Sequence, residues 1–131
     1  MRLSSNTTAQ YAFADAIKDE KNHRIAIRGM VNEIAERVNF AYDLIRESSH
    51  MDISERPRGA FYLFPKVDIK GMDFKNDRDM IRRLLVEEGV QITRGSGFGA
   101  QDNIRIVSLP PKGILEPAIR KIDKFLDRHS R

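Results

Sequence analysis

The sequence predicts an α+β domain: a small mixed or antiparallel sheet covered by helices on one side. Two observations carry that expectation. Apolar residues recur at helical spacing in three segments, 24–47, 78–88 and the stretch after Pro111. Between them lie short apolar runs, 60–64, 90–93 and 104–109, each bounded by glycine, proline or polar residues and too short for helices. The order helix, strand, helix, strand, strand, helix groups strands too closely for regular βαβ crossovers.

Length and charge narrow the classes further. The chain has 131 residues, enough for one modest core. Net charge is +4, with the two signs interleaved. Arg82-Arg83 reads as a solvated helix face, and no basic stripe with aromatic platforms argues for nucleic acid. There is no cysteine, which excludes disulfide and thiolate chemistry. No apolar run reaches membrane length and no signal peptide opens the chain, so a cytoplasmic protein is expected.

Taken in order, Thr7 or Thr8 is expected to cap a first helix over 9–18, whose greasy face carries Tyr11, Phe13 and Ile17. The helix over 24–47 places Ile27, Met30, Val31, Ile34, Val38, Ala41, Tyr42 and Ile45 on one stripe. His23 and His50 flank it, and both read as solvated end residues, because neither has a second ligand at metal-binding spacing. A short strand is possible at 51–53. The run 60–64 reads as a strand covered on both faces, ended by Pro65. A polar loop at 67–75 leads to Asn76 or Asp77 as the cap of the helix over 78–88, with Gly89 as its left-handed C-cap. In the last helix Pro117 implies a kink, or a first turn separated from a main helix starting near Glu116.

The most informative stretch is 95–111. The glycine-rich turn Gly95-Ser96-Gly97-Phe98-Gly99 passes through a polar link into the strand over 104–109. One charge, Arg105, interrupts that strand. A guanidinium in an apolar run is costly to bury without an anion, and its planar fork matches a carboxylate. The residues alone leave the anion open: a structural aspartate, a backbone carbonyl, solvent at a strand edge, or a ligand. The turn also invites comparison with phosphate-binding loops. It lacks a following Lys-Ser/Thr and leads into a strand, so that reading is weak.

Two motifs in order, Gly59-Ala60-Phe61-Tyr62 and then Gly95-Ser96-Gly97-Phe98-Gly99 with Arg105-Ile106, resemble the C-terminal part of pyridoxal-phosphate aminotransferases of the aspartate and alanine type. Asn6, Gln10 and Ala12 are similar to a segment of that family's large cofactor domain. The resemblance implies the small domain of the fold-type I transferases over 23–131, with 1–22 as the tail of the large domain. It implies that Arg105 binds the substrate's α-carboxylate, with Tyr62, Gly97 and Phe98 as possible neighbours. Arg94 departs from the family pattern, where proline is usual.

The resemblance covers only about the last third of such an enzyme. Its Schiff-base lysine would precede Met1, and no lysine here has the family's Ser-x-x-Lys context. The expectation is therefore a fragment that binds no pyridoxal phosphate alone and is inactive alone. Its partners would be the large domain, an amino acid or 2-oxo acid, and a second copy through self-association, with no nucleic acid and no membrane. The competing reading is a non-catalytic carboxylate-binding or interaction module built on the same domain.

Overall fold

The computed structural model describes residues 6–130. Its elements are α1 Thr7–Lys18, α2 Glu20–Arg46, β1 Tyr62–Leu63, α3 Asp77–Glu88, β2 Thr93–Arg94, a 3-10 helix Gly95–Phe98, β3 Ile104–Val107 and α4 Lys112–His129. They divide into two compact units, Met1–Glu33 and Ile34–Arg131.

The first unit is helical. Asn6, not Thr7 or Thr8, caps α1: its side-chain oxygen accepts from the Ala9 amide at 3.1 Å, so the helix already runs at Thr7. Asp19 does the same for the next helix, accepting from the Asn22 amide and side chain. Those bonds hold the Asp19 carboxyl below its ordinary range. They also start α2 at Glu20, earlier than the apolar periodicity alone suggests. No residue of α1 is buried.

In the second unit three strands form an antiparallel sheet in the order β1-β3-β2. Tyr62 lies opposite Val107 and Leu63 opposite Ile106; Thr93 lies opposite Arg105 and Arg94 opposite Ile104. The sheet's inner face supplies Leu63, Ile104 and Ile106. They cluster with Ala41 and Ile45 of α2, Met80 and Leu84 of α3, and Ile119, Ile122, Phe125 and Leu126 of α4. Each large aliphatic or aromatic side chain so buried contributes about 1.5–3 kcal/mol. The caps of α3 fall as the sequence indicates. Asn76 accepts from the Asp79 amide at 3.0 Å, and Gly89 takes the left-handed conformation at φ 68°.

Several local expectations are corrected. The segment 60–64 is not covered on both faces: Leu63 is buried, whereas Tyr62 and Phe64 are each 37% exposed. The pleat alternates, with Tyr62 exposed and Leu63 buried. The possible strand at 51–53 is a single bridge between Asp52 and Lys66. The glycine-rich turn is wound into a 3-10 helix. The strand at 90–93 begins only at Thr93, and β3 ends at Val107. Beyond it Ser108 is buried and bonded to the Phe61 carbonyl through both its amide and its hydroxyl. Pro117 neither ends nor splits α4, which runs unbroken from Lys112 to His129. The missing proline N–H costs one bond near the helix start, where the buried stripe Leu115–Ile119–Ile122–Leu126 holds the helix down. His50 is not a solvated end residue: its side chain is mostly buried, with Nε2 3.3 Å from Asp127.

One polar cluster ties α3 to α4. Arg83 donates to Asp73 and Glu87, and His129 lies 2.9 Å from Asp73 and 3.2 Å from Glu87. The His129 ring also packs on Phe74 and Phe125. Hydrogen bonds from His129 and Arg83 hold the Glu87 carboxyl below its ordinary range. At Asp73 partial burial works the other way, but Arg83 and His129 outweigh it and the carboxyl again lies low.

Candidate binding site around Arg105

The antiparallel pairing places Arg105 in the middle of β3, on the face opposite Ile104 and Ile106. Tyr62 comes from the neighbouring strand, diagonal to Arg105, a separation that long side chains span. Phe98 is the last residue of the 3-10 helix. The Arg105 guanidinium carbon lies 4.6 Å from the Tyr62 ring centroid and 4.3 Å from that of Phe98. Phe64 meets Phe98 edge-on at 6.2 Å. Three of the residues singled out in the sequence thus converge. Gly97 lies beside Phe98, exposed, with open space where a Cβ would stand.

No carboxylate among the described residues pairs with Arg105, and its Nε is buried with no hydrogen-bond partner. Two ring faces offset part of the desolvation cost by cation–π attraction, about 0.5–2 kcal/mol each. They engage none of its N–H donors. The structure therefore holds a guanidinium in place and leaves its fork unanswered, which chemically suits a bidentate carboxylate.

The turn is braced by protein acceptors. Gly95 donates its amide to the Asn103 carbonyl at 2.7 Å, Gly99 to Ser96 at 3.3 Å and Ala100 to Gly95 at 3.1 Å. The Ser96 amide goes to the buried Asp77 carboxylate at 3.1 Å. With these amides engaged, the turn has few backbone donors left with which to cradle a phosphate. Asp77 is the supporting residue whose role sequence reasoning missed. Asp77 reads there only as an alternative cap; an acid just inside a helix start gives no sign of a second bond elsewhere. No group of three or more His, Cys, Asp or Glu among the described residues could hold a metal ion. No helix among the described residues is long and apolar enough to cross a membrane.

Comparisons with known proteins bear on this site. The sequence profile "Aminotransferase class I and II" matches residues 1–122. The glutamate-pyruvate aminotransferase AlaA of Haemophilus influenzae is 36% identical over 129 residues, 96% of this chain and 31% of that protein. The aspartate aminotransferase of Bacillus subtilis is 42% identical over 77 residues, 57% of this chain and 20% of that protein. Among solved structures, the aspartate aminotransferase of Thermotoga maritima superposes with a TM-score of 0.75 at 30% identity, over 93% of this chain and 29% of that one. The aromatic aminotransferase of Pyrococcus horikoshii gives 0.78 at 27% identity, over 91% and 31%. The chain thus spans about a third or less of the length of these relatives.

Proposed function

Because the chain belongs to the class I and II aminotransferase family, we propose that it acts as the C-terminal, small domain of such an enzyme, with Arg105 receiving the α-carboxylate of an amino-acid or 2-oxo-acid substrate. One observation carries the reading: a half-buried arginine packed against Tyr62 and Phe98, with no acid among the described residues paired with it. In this reading residues 23–131 form the small domain and 1–22 belong with the large one. The substrate is an amino acid such as alanine or aspartate, as the names of the relatives suggest.

Pyridoxal phosphate, the cofactor of this family, supplies an electron sink for the amino-group transfer when bound. The residues of this chain do not fit it. Lys66 is exposed and bridges Asp52 and Asn103 through its backbone, and Lys112 lies 3.6 Å from Glu36. In the glycine-rich turn the Gly95, Ser96 and Gly99 amides go to protein acceptors, which leaves too few backbone donors for a phosphate cup. On this reading the Schiff-base lysine and the cup come from the family's large domain, and the chain alone should form no specific adduct and show no turnover. What this chain contributes is one wall of the substrate site: it binds and orients the carboxylate.

The test is Arg105→Lys in the chain joined to a relative's large-domain segment. Lysine keeps the charge and loses the planar fork. Truncating a buried charge pair of this kind costs roughly 2–5 kcal/mol, so kcat/KM for the amino acid should fall at least about 30-fold. The urea midpoint should stay near wild type, because the arginine's partner is the substrate. Unchanged kinetics would overturn the assignment.

A further inference from the structure

We propose that Phe98 and Tyr62 are positioning residues that fix the plane of the Arg105 guanidinium, so that the site selects a planar carboxylate over a tetrahedral anion. This rests on the reading of Arg105 as the carboxylate residue and adds the means by which it discriminates. An arginine side chain has many rotamers, and a fork that turns freely binds a tetrahedral phosphonate or sulfonate about as readily as a carboxylate. Here two rings approach the guanidinium carbon at 4.3 and 4.6 Å. A cation over a ring face is held there while its in-plane N–H groups remain free.

Both rings are themselves held. Phe98 sits on a 3-10 helix pinned at one end by Gly95, whose hydrogen takes the only space left by the Ala100 and Asn103 carbonyls. At the other end Gly99 turns the chain at φ 79°. The edge of Phe64 supports the Phe98 ring. Tyr62 is fixed by the β1–β3 ladder and by its contact with Phe61 at 4.5 Å. Neither ring belongs to the hydrophobic core: Phe98 is 52% exposed. Two large aromatic side chains left half in solvent yet packed on one cation are poorly explained by stability and well explained by orientation.

The experiment uses the chain joined to the large-domain segment, comparing wild type, Phe98→Leu, Phe98→Tyr, Tyr62→Leu and Arg105→Lys. Each is titrated with a carboxylate inhibitor and with its phosphonate counterpart. Phe98→Leu should weaken the carboxylate about tenfold while changing the phosphonate less than about threefold, because the fork is no longer held in one plane. Tyr62→Leu should act in the same direction. Phe98→Tyr, which keeps the ring, should recover most of the discrimination. In the 131-residue chain itself, the Arg105 Nε–H resonance should be resolved and slow to exchange, and Phe98→Leu should broaden it. Equal weakening of both anions, or no change, with Arg105→Lys still losing the carboxylate, overturns this inference alone. If Arg105→Lys also leaves carboxylate binding intact, the reading beneath it falls as well.

Discussion

Replacing Gly95 with alanine tests whether the 3-10 helix is built against its own backbone. A Cβ on Gly95 would stand 2.2 Å from the Ala100 carbonyl oxygen and 2.3 Å from that of Asn103. Both are backbone atoms, so no side chain can swing aside, and the chain must part by roughly 1 Å to reach ordinary contact. The same movement breaks the Gly95–Asn103 bond at 2.7 Å and the Ala100–Gly95 bond at 3.1 Å. Two bonds at about 1 kcal/mol each, with about 1–3 kcal/mol of overpacking, give a loss of about 3–5 kcal/mol if the turn stays, and less if it yields. Gly97, two residues on, has nothing within 4 Å of a Cβ. Alanine there should be neutral or stabilising by about 0.4–1 kcal/mol, through the unfolded chain. Urea unfolding of the two variants, compared at equal slope, measures the difference. Binding adds a second readout: if the turn yields, Phe98 moves off Arg105 and carboxylate affinity falls even where stability is partly kept. Equal midpoints for Gly95→Ala and Gly97→Ala would refute the close-approach argument.

Two further outcomes follow from the same structure. Asp73 and Glu87 hold their protons less tightly than their ordinary values of 3.8 and 4.5, so the folded state binds fewer protons than the unfolded one. Their stabilisation is present above those values and is lost as pH falls through the lower folded-state ones. Urea midpoints should therefore decline between about pH 5 and pH 3, and Asp73→Asn with Glu87→Gln should flatten that decline; an unchanged profile would remove the cluster from the account. The first unit bears Tyr11, 72% exposed, and Phe13, 65% exposed, on a helix with no buried residue. We expect concentration-dependent self-association of the chain, measured by light scattering and abolished by Tyr11→Ser with Phe13→Ser; a monomer at all concentrations would refute it.

The helices were the most legible part of the sequence because their signals are local. Asn76 and Gly89 mark the ends of α3 by their own chemistry, and the stripe of α4 repeats at 3.6 residues whatever lies beside it. The strands were legible as existing but not in extent. Where β1 stops depends on β3 pairing only at Tyr62 and Leu63, a tertiary fact. The run 60–64 looks doubly covered because Tyr and Phe are apolar by composition, yet Tyr62 and Phe64 stand on the less covered face. Of the two outcomes that Pro117 implies, the separated first turn does not occur: a residue that breaks isolated helices is tolerated where five buried residues of the same helix hold it down. Arg105 was legible as an anomaly, one charge between isoleucines. Its partners were not, since neither ring is adjacent to it in sequence and Asp77, which braces the turn, bonds across 19 positions.

The choice of partner for Arg105 is itself an argument about function. A structural arginine at this position would be expected to pair with a nearby carboxylate, as Arg83 does with Asp73 and Glu87. Such a pair leaves little attraction for an incoming anion, because a carboxylate already bound must be displaced or tolerated at close range. Ring faces act differently. They offset part of the cost of holding the cation, about 0.5–2 kcal/mol each, against several kcal/mol for desolvating an unpaired charge. The balance leaves the buried Nε without an acceptor and the cation still in deficit. On the proposed reading, a carboxylate meeting the outer N–H groups of the fork would neutralise the cation, and part of its binding free energy would come from that. The same accounting predicts the result of introducing an acid: Thr93→Asp, opposite Arg105 on β2, should raise the stability of the chain and weaken carboxylate binding together. A variant that gained stability with affinity unchanged would show that Arg105 does not face the ligand.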